Sequence, residues 1–180
     1  MRIGIDISQV AYGKTGVARS VSKLIQNLVL NDRKNHYVFF FSSLRNDIPP
    51  LLFQSLINSS NVEIKSYKFP QSFLTFLWNR LHVLPIEWLI GKVDVFVSSD
   101  WTEPPVKRAK KVTFIHDMTV FLFPKETDRG VIKTQKKKLS WSVKECDAFI
   151  TPSLATKKDV VRILGISPEK VKVVPWGATL

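Results

Sequence analysis

Polar and apolar positions along the chain follow two different periods. Short runs rich in β-branched and aromatic residues alternate with longer stretches in which apolar residues return every three or four positions. "MRIGIDI" (1–7) is the first short run, and a polar loop with two glycines, "SQVAYGKTG", follows it. "VARSVSKLIQNLVLN" (17–31) then sets Val17, Val21, Leu24, Ile25 and Leu28 on one helical face. "HYVFFFS" (36–42) reads as a strand buried on both sides. Pro50 suits the first turn of a helix within 48–60, and 62–69 alternates as a strand. Further strands are predicted at 93–99, 110–117, 147–153 and 170–177, with helices at 129–146 and 154–164. Gly165 stops the last helix, and "SPEK" makes a tight turn with Pro168 at its first position.

Strands separated by helices throughout predict βαβ units. The expected fold is α/β: a Rossmann-like, doubly wound, mostly parallel sheet with helices on both faces. One domain of ordinary size accounts for all 180 residues. The sequence ends at "PWGATL", just past a strand, where a helix would normally cover the sheet, so a truncated end is expected. The most hydrophobic window, 73–91, is interrupted by Arg80, His82, Pro85 and Glu87. That excludes a membrane-spanning helix and leaves a core or interfacial role.

Composition adds three constraints. A hydrophobic fraction of 44% excludes a disordered chain. Cys146 is the only cysteine, so no intrachain disulfide can form; it reads as a small buried apolar group. No signal peptide precedes "IGIDI", which makes the cytoplasm the expected location. The third constraint is a net charge of +12, which implies an anionic partner or a solvated basic surface.

The charge is concentrated. Between Lys107 and Lys144 stand eleven Lys or Arg against Asp117, Glu126 and Asp128, which supplies most of the excess. On the helix at 129–146, Ile132, Leu139, Val143 and Cys146 form one face, with Lys133, Lys137 and Lys144 elsewhere and Trp141 one turn beyond Lys137 and Lys138. A basic helix flanked by an indole suits an anionic membrane surface, with peripheral attachment at the inner face. A plain solvated face is the competing reading. Nucleic acid is not an expected partner, because no helix-turn-helix, zinc-finger or RNA-recognition signature accompanies the charge.

In open α/β sheets ligands sit beyond the carboxyl ends of the strands. After the first strand come Tyr12, Gly13, Lys14, Thr15 and Gly16, at a helix start whose open N–H groups, at Gly16 and Val17, could receive a phosphate. The pattern is neither G-x-G-x-x-G nor a P-loop, so an ordinary glycine turn stays open. After the strand at 110–117 stand His116 and Asp117. The carboxylate could hold the imidazole charged, or it could cap a turn. His36, His82 and His116 are the only histidines and show no ligand spacing, so no metal is expected. No G-x-S-x-G elbow supports a serine triad.

Four segments share an order with a known family: "IGIDIS", "TGVARSVSKLIQNL", "VTFIHDMTVFLFP" and "DAFITPSLATKKDVVRILGISPEKVKVVPWG". Together they resemble the N-terminal domain of family 4 glycosyltransferases, retaining enzymes of the GT-B type. The resemblance spans nearly the whole chain and is weakest across 48–105. It implies the acceptor-side half of a two-domain transferase that moves a hexose from a nucleotide sugar to a glycan or lipid-linked acceptor, without cofactor or metal. Gly16, Val17 and Arg19 would lie near the donor diphosphate. His116, with Asp117, would line the cleft beside the transferring sugar. Tyr12, Trp101 and the basic helix, Lys137 included, would contact acceptor, and Asp6 closes the first strand at the same edge, with loop capping as its competing role. The family's C-terminal, donor-gripping domain is absent, so the isolated fragment is expected to be inactive. A stand-alone α/β module that binds a nucleotide or a protein is the alternative.

Overall fold

The structure, a computed structural model, describes residues 1–13 and 15–175. Lys14 of the glycine loop and residues 176–180, including the end of the predicted last strand, lie outside the described residues. Seven strands form one sheet in the order β3-β2-β1-β4-β5-β6-β7, and every neighbouring pair is parallel. They are β1 (Arg2–Asp6), β2 (His36–Ser42), β3 (Val62–Tyr67), β4 (Val95–Ser98), β5 (Lys110–Phe114), β6 (Ala148–Thr151) and β7 (Val171–Val173). The order runs outward from β1 in both directions, so the sheet is doubly wound, with a topological switch between β1 and β4.

Period two explains the all-apolar β2. Tyr37, Phe39 and Phe41 enter one core with Val21, Ile25 and Val29 of α1 (Gly16–Asn31) and Leu52 and Leu56 of α2 (Pro50–Ile57). Val38 and Phe40 enter a second core on the other face, with Leu74, Trp78, Ile86, Ile90 and Phe96. A third cluster joins Ile115, Met118, Leu139, Phe149, Val160 and Val171 under α6 (Arg129–Glu145) and α7 (Leu154–Leu164). Gly165 ends α7 at φ 66°, the left-handed value that glycine adopts without a Cβ penalty. The remaining short helices are α3 (Gln71–Leu74), α4 (Glu87–Ile90) and α5 (Thr119–Leu122).

Three expectations are corrected. The loop after β1 is folded into a 3-10 turn at Ser8–Tyr12, because Asp6 accepts from the Ser8 amide and hydroxyl and holds the chain in place. The hydrophobic stretch from Phe73 is divided between roles: α3 continues as a π-helix, Thr75–Leu81, that buries Trp78 and Asn79 and leaves Phe73, Phe76 and Leu81 exposed. His82 ends it at φ 55°, with Nδ1 donating to the Trp78 carbonyl. On α6 the inward face is Lys138, Leu139 and Ser142, while Val143 is exposed. Polar residues face inward there because a buried carboxylate waits opposite them. No helix among the described residues is long and apolar enough to cross a membrane.

Candidate active site

All strands point the same way, so the ends of β1, β4 and β5 share one rim. The glycine turn leaves that rim after β1 and enters α1. Thr15 caps the helix: its hydroxyl accepts from the Ala18 amide at 3.1 Å, and its carbonyl accepts from Arg19 at 3.2 Å. Gly16 and exposed Arg19 belong to that first turn. A cleft of about 450 Å³ opens beside it, lined by Gln9, Tyr12, Thr15, Val17, Asp100 and Trp101. Asp100 and Trp101 also line a second cleft of about 240 Å³, with Phe114, Asp117, Thr119 and Gln135. The loop after β4 therefore stands between the glycine turn and the His-Asp pair.

His116 is half-buried, two residues past β5, with its ring stacked on Phe114 at 6.1 Å. Burial lowers its pKa; Asp100 and Asp117 pull it up, Lys138 pushes it down, and burial prevails. Burial thus disfavours the imidazolium, and of the two roles left open for Asp117 the structure shows the turn cap. Burial likewise raises the pKa of Asp100, against the attraction of His116 and Lys138. Asp117 is exposed and accepts from the Thr119 amide at 2.8 Å, a turn cap at the mouth of the second cleft. Asp6 lies beneath the rim, 4% exposed, its oxygens occupied by Ser8 and, at 3.5 Å, by Thr102. It lines neither cleft. Lys137 also stands apart, on a groove farther along the π-helix. The structure thus sets Tyr12 and Val17 in one cleft and Asp117 in the other, with Trp101 shared by both, and places His116, Asp6 and Lys137 in the lining of neither.

Sequence reasoning passed over Asp100 and the ion cluster behind it. Glu103 is fully buried between Lys111 Nζ at 3.3 Å and Lys138 Nζ at 3.4 Å, both lysines equally buried. Burial alone would raise the Glu103 pKa, but the two ammonium groups and Ser142 outweigh it and lower it. Lys138 Nζ also donates to Thr113 and to the Phe114 carbonyl, two residues before His116. Lys111 continues the chain of charges to Glu145 at 2.7 Å, and Glu145 meets His82 Nε2 at 2.6 Å. A sequence signal existed: a lysine inside a central parallel strand is buried on both faces and must be paired.

Cys146 adjoins the cluster, and burial together with Glu103 pushes its thiol well above the ordinary range. A disulfide thiol reagent at pH 8 is expected to leave it untouched in the native chain and to react fully once urea unfolds it; fast native labelling would contradict this burial. Trp141 does not serve as an exposed flank. Its Nε1 donates to the Asn79 carbonyl at 2.8 Å, and its ring stacks on His82 at 3.7 Å. Among the described residues no three His, Cys, Asp or Glu side chains form a metal-binding group.

Comparison with known proteins bears on this geometry. One solved structure that matches is "Structure of the Wall Teichoic Acid Polymerase TagF, H444N variant", at 10% identity and a TM-score of 0.48. The alignment covers 98% of this chain and 38% of that one, so this chain spans well under half of that protein's length. No curated protein matches. The Glycosyltransferase Family 4 model matches residues 14–180, from the glycine loop through the His-Asp rim to the end of the sequence. With nearly the whole chain matched, it belongs to glycosyltransferase family 4.

Proposed function

We propose that this chain is the acceptor-side, N-terminal half of a GT-B glycosyltransferase that moves a hexose from a nucleotide sugar with retention. The observation that carries the reading is that two clefts share Asp100 and Trp101, one opening at the α1 start and the other lined by Asp117, next to His116 in the chain. Departure of a nucleoside diphosphate concentrates negative charge, and preorganised N–H dipoles stabilise it without reorganisation. The start of α1 at Gly16 and Val17 supplies such dipoles, and Arg19 supplies a cation one turn on. His116, whose charged form burial disfavours, serves as a hydrogen-bond partner for a sugar hydroxyl rather than as a counter-ion. Tyr12 and Trp101 offer aromatic faces for an acceptor ring. The Asp100 carboxylate, raised by burial, is positioned to accept a hydroxyl hydrogen bond, and Asp117 fixes the turn that holds the rim. A second lobe would close the cleft over the donor, and the isolated half would turn over little or nothing.

The test is a panel of nucleotide sugars offered to the full-length parent, with release of nucleoside diphosphate as the readout. One nucleotide hexose is expected to be consumed, with the donor's anomeric configuration kept in the product by NMR. Inverted product would remove retention. No consumption of any donor, with or without crude acceptor lipid or glycan, would remove the transferase reading.

A further inference from the structure

A third groove, of about 700 Å³, runs between the π-helix and α6. Phe76 and Arg80 stand on one wall, and Lys133, Lys136 and Lys137 on the other. No carboxylate lines it, and none of the four cations forms an ion pair among the described residues. Their close contacts are with rings instead: Arg80 over Phe76, Lys136 over Phe121, and Lys137 over Trp141. Like charges three and four residues apart on one helical face repel, so this wall carries a cost that a bound anion would relieve. Ammonium and guanidinium groups lining one groove suit a phosphate, which such groups meet with charge-assisted hydrogen bonds.

Other exposed apolar side chains stand near Phe76 in the chain. Phe73 and Leu81 lie on the same helical stretch as Phe76, and Val83 follows; all are exposed. Both walls are tied to the cleft. Asn79 Nδ2 donates to the Trp101 carbonyl at 2.8 Å, and Gln135 Nε2 donates to the Asp100 carbonyl at 3.0 Å. The elements that carry the groove are thus fixed to the backbone of the two residues that both clefts share.

We propose that this groove is the acceptor's phosphate subsite, and that the acceptor is a sugar joined through phosphate to a long apolar alcohol, so that a sugar hydroxyl in the cleft, and not the phosphate, receives the hexose. Its phosphate is held by Arg80, Lys133, Lys136 and Lys137, and its chain lies along Phe76 and Phe73. The assignment rests on the transferase reading for the word acceptor, but the binding itself needs no donor and is tested without one.

The experiment is calorimetric titration of this chain with geranyl phosphate below its aggregation limit. One equivalent is expected to bind saturably. The K133Q/K136Q/K137Q variant, all at exposed positions and checked for native circular dichroism, is expected to bind at least tenfold more weakly; Phe76→Ser should weaken geranyl phosphate but not inorganic phosphate. Glucose 1-phosphate and inorganic phosphate are expected to bind at least tenfold more weakly than geranyl phosphate. Equal affinity for glucose 1-phosphate would replace the amphiphile by a phosphosugar and overturn the proposal. So would absence of saturable binding while the same lysines drive sedimentation with phosphatidylglycerol vesicles but not phosphatidylcholine, which would make the patch a membrane-surface contact. Binding of geranyl phosphate by a chain whose parent consumes no nucleotide sugar would leave the site standing and remove only the transferase.

Discussion

Glu103→Gln is expected to cost about 3–5 kcal/mol of folding stability, the range for removing one partner from a buried ion pair. The substitution leaves Lys138 Nζ with Thr113 and a carbonyl but without its ion-pair carboxylate, in a buried site where only the longer-range attraction of Asp100 remains. Lys111 fares better because Glu145 remains at 2.7 Å. The loss is large beside the roughly 5–15 kcal/mol that holds an ordinary domain together. A double variant, E103Q/K138M, is expected to recover most of it, since an apolar side chain of similar volume carries no charge to desolvate. Urea unfolding of the three proteins checks both statements. A change below about 1 kcal/mol for Glu103→Gln would mean that the carboxylate is hydrated rather than enclosed.

The same carboxylate makes a pH statement. Its folded pKa lies below its unfolded value near 4.5. Its contribution is therefore complete above that unfolded value and is lost as pH falls through the lower folded one. Wild type should lose stability on acidification below about pH 4.5 more steeply than Glu103→Gln does. Parallel slopes would show that Glu103 is not the group responsible.

His116→Ala in the full-length parent is expected to lower kcat about 100-fold, roughly 2.7 kcal/mol, with much less change in KM. That split follows if the imidazole meets the sugar more strongly in the transition state than in the ground state. A loss under about tenfold would remove it from the chemistry. The unfolding midpoint separates this from a structural effect, because His116 sits on the rim beyond β5 and its loss should leave the midpoint nearly unchanged. An NMR titration of the free chain adds a direct readout: the His116 midpoint should fall below the ordinary 6.5, since burial disfavours the imidazolium.

How much of this could be read beforehand differs element by element. The β2 run, the α1 stripe and the Gly165 stop were legible because each rests on local periodicity or local backbone freedom. The rim location of His116 was legible too, because a strand that ends on polar residues in a parallel sheet must deliver them to the carboxyl edge. The inward face of α6 was misread. Lys138 and Ser142 look like surface residues at helical spacing, and only the buried Glu103 from a distant loop makes their burial favourable. Asp100 was overlooked for a similar reason: nothing near it in sequence shows that it divides two clefts. Trp141 read as a free flank, and its partners Asn79 and His82 come from a π-helix that no periodicity of 3.6 announces.

The sequence by itself determined the alternation of strand and helix, the parallel sheet that alternation requires, and the rim on which the glycine turn and His116 both lie. These follow from interactions between residues close in the chain. Only the tertiary structure decided which lysines point inward, that burial disfavours the charged form of His116, and that two clefts share Asp100 and Trp101. Those outcomes depend on desolvation and on Coulomb attraction between groups tens of residues apart, and neither exists until the chain has closed around them.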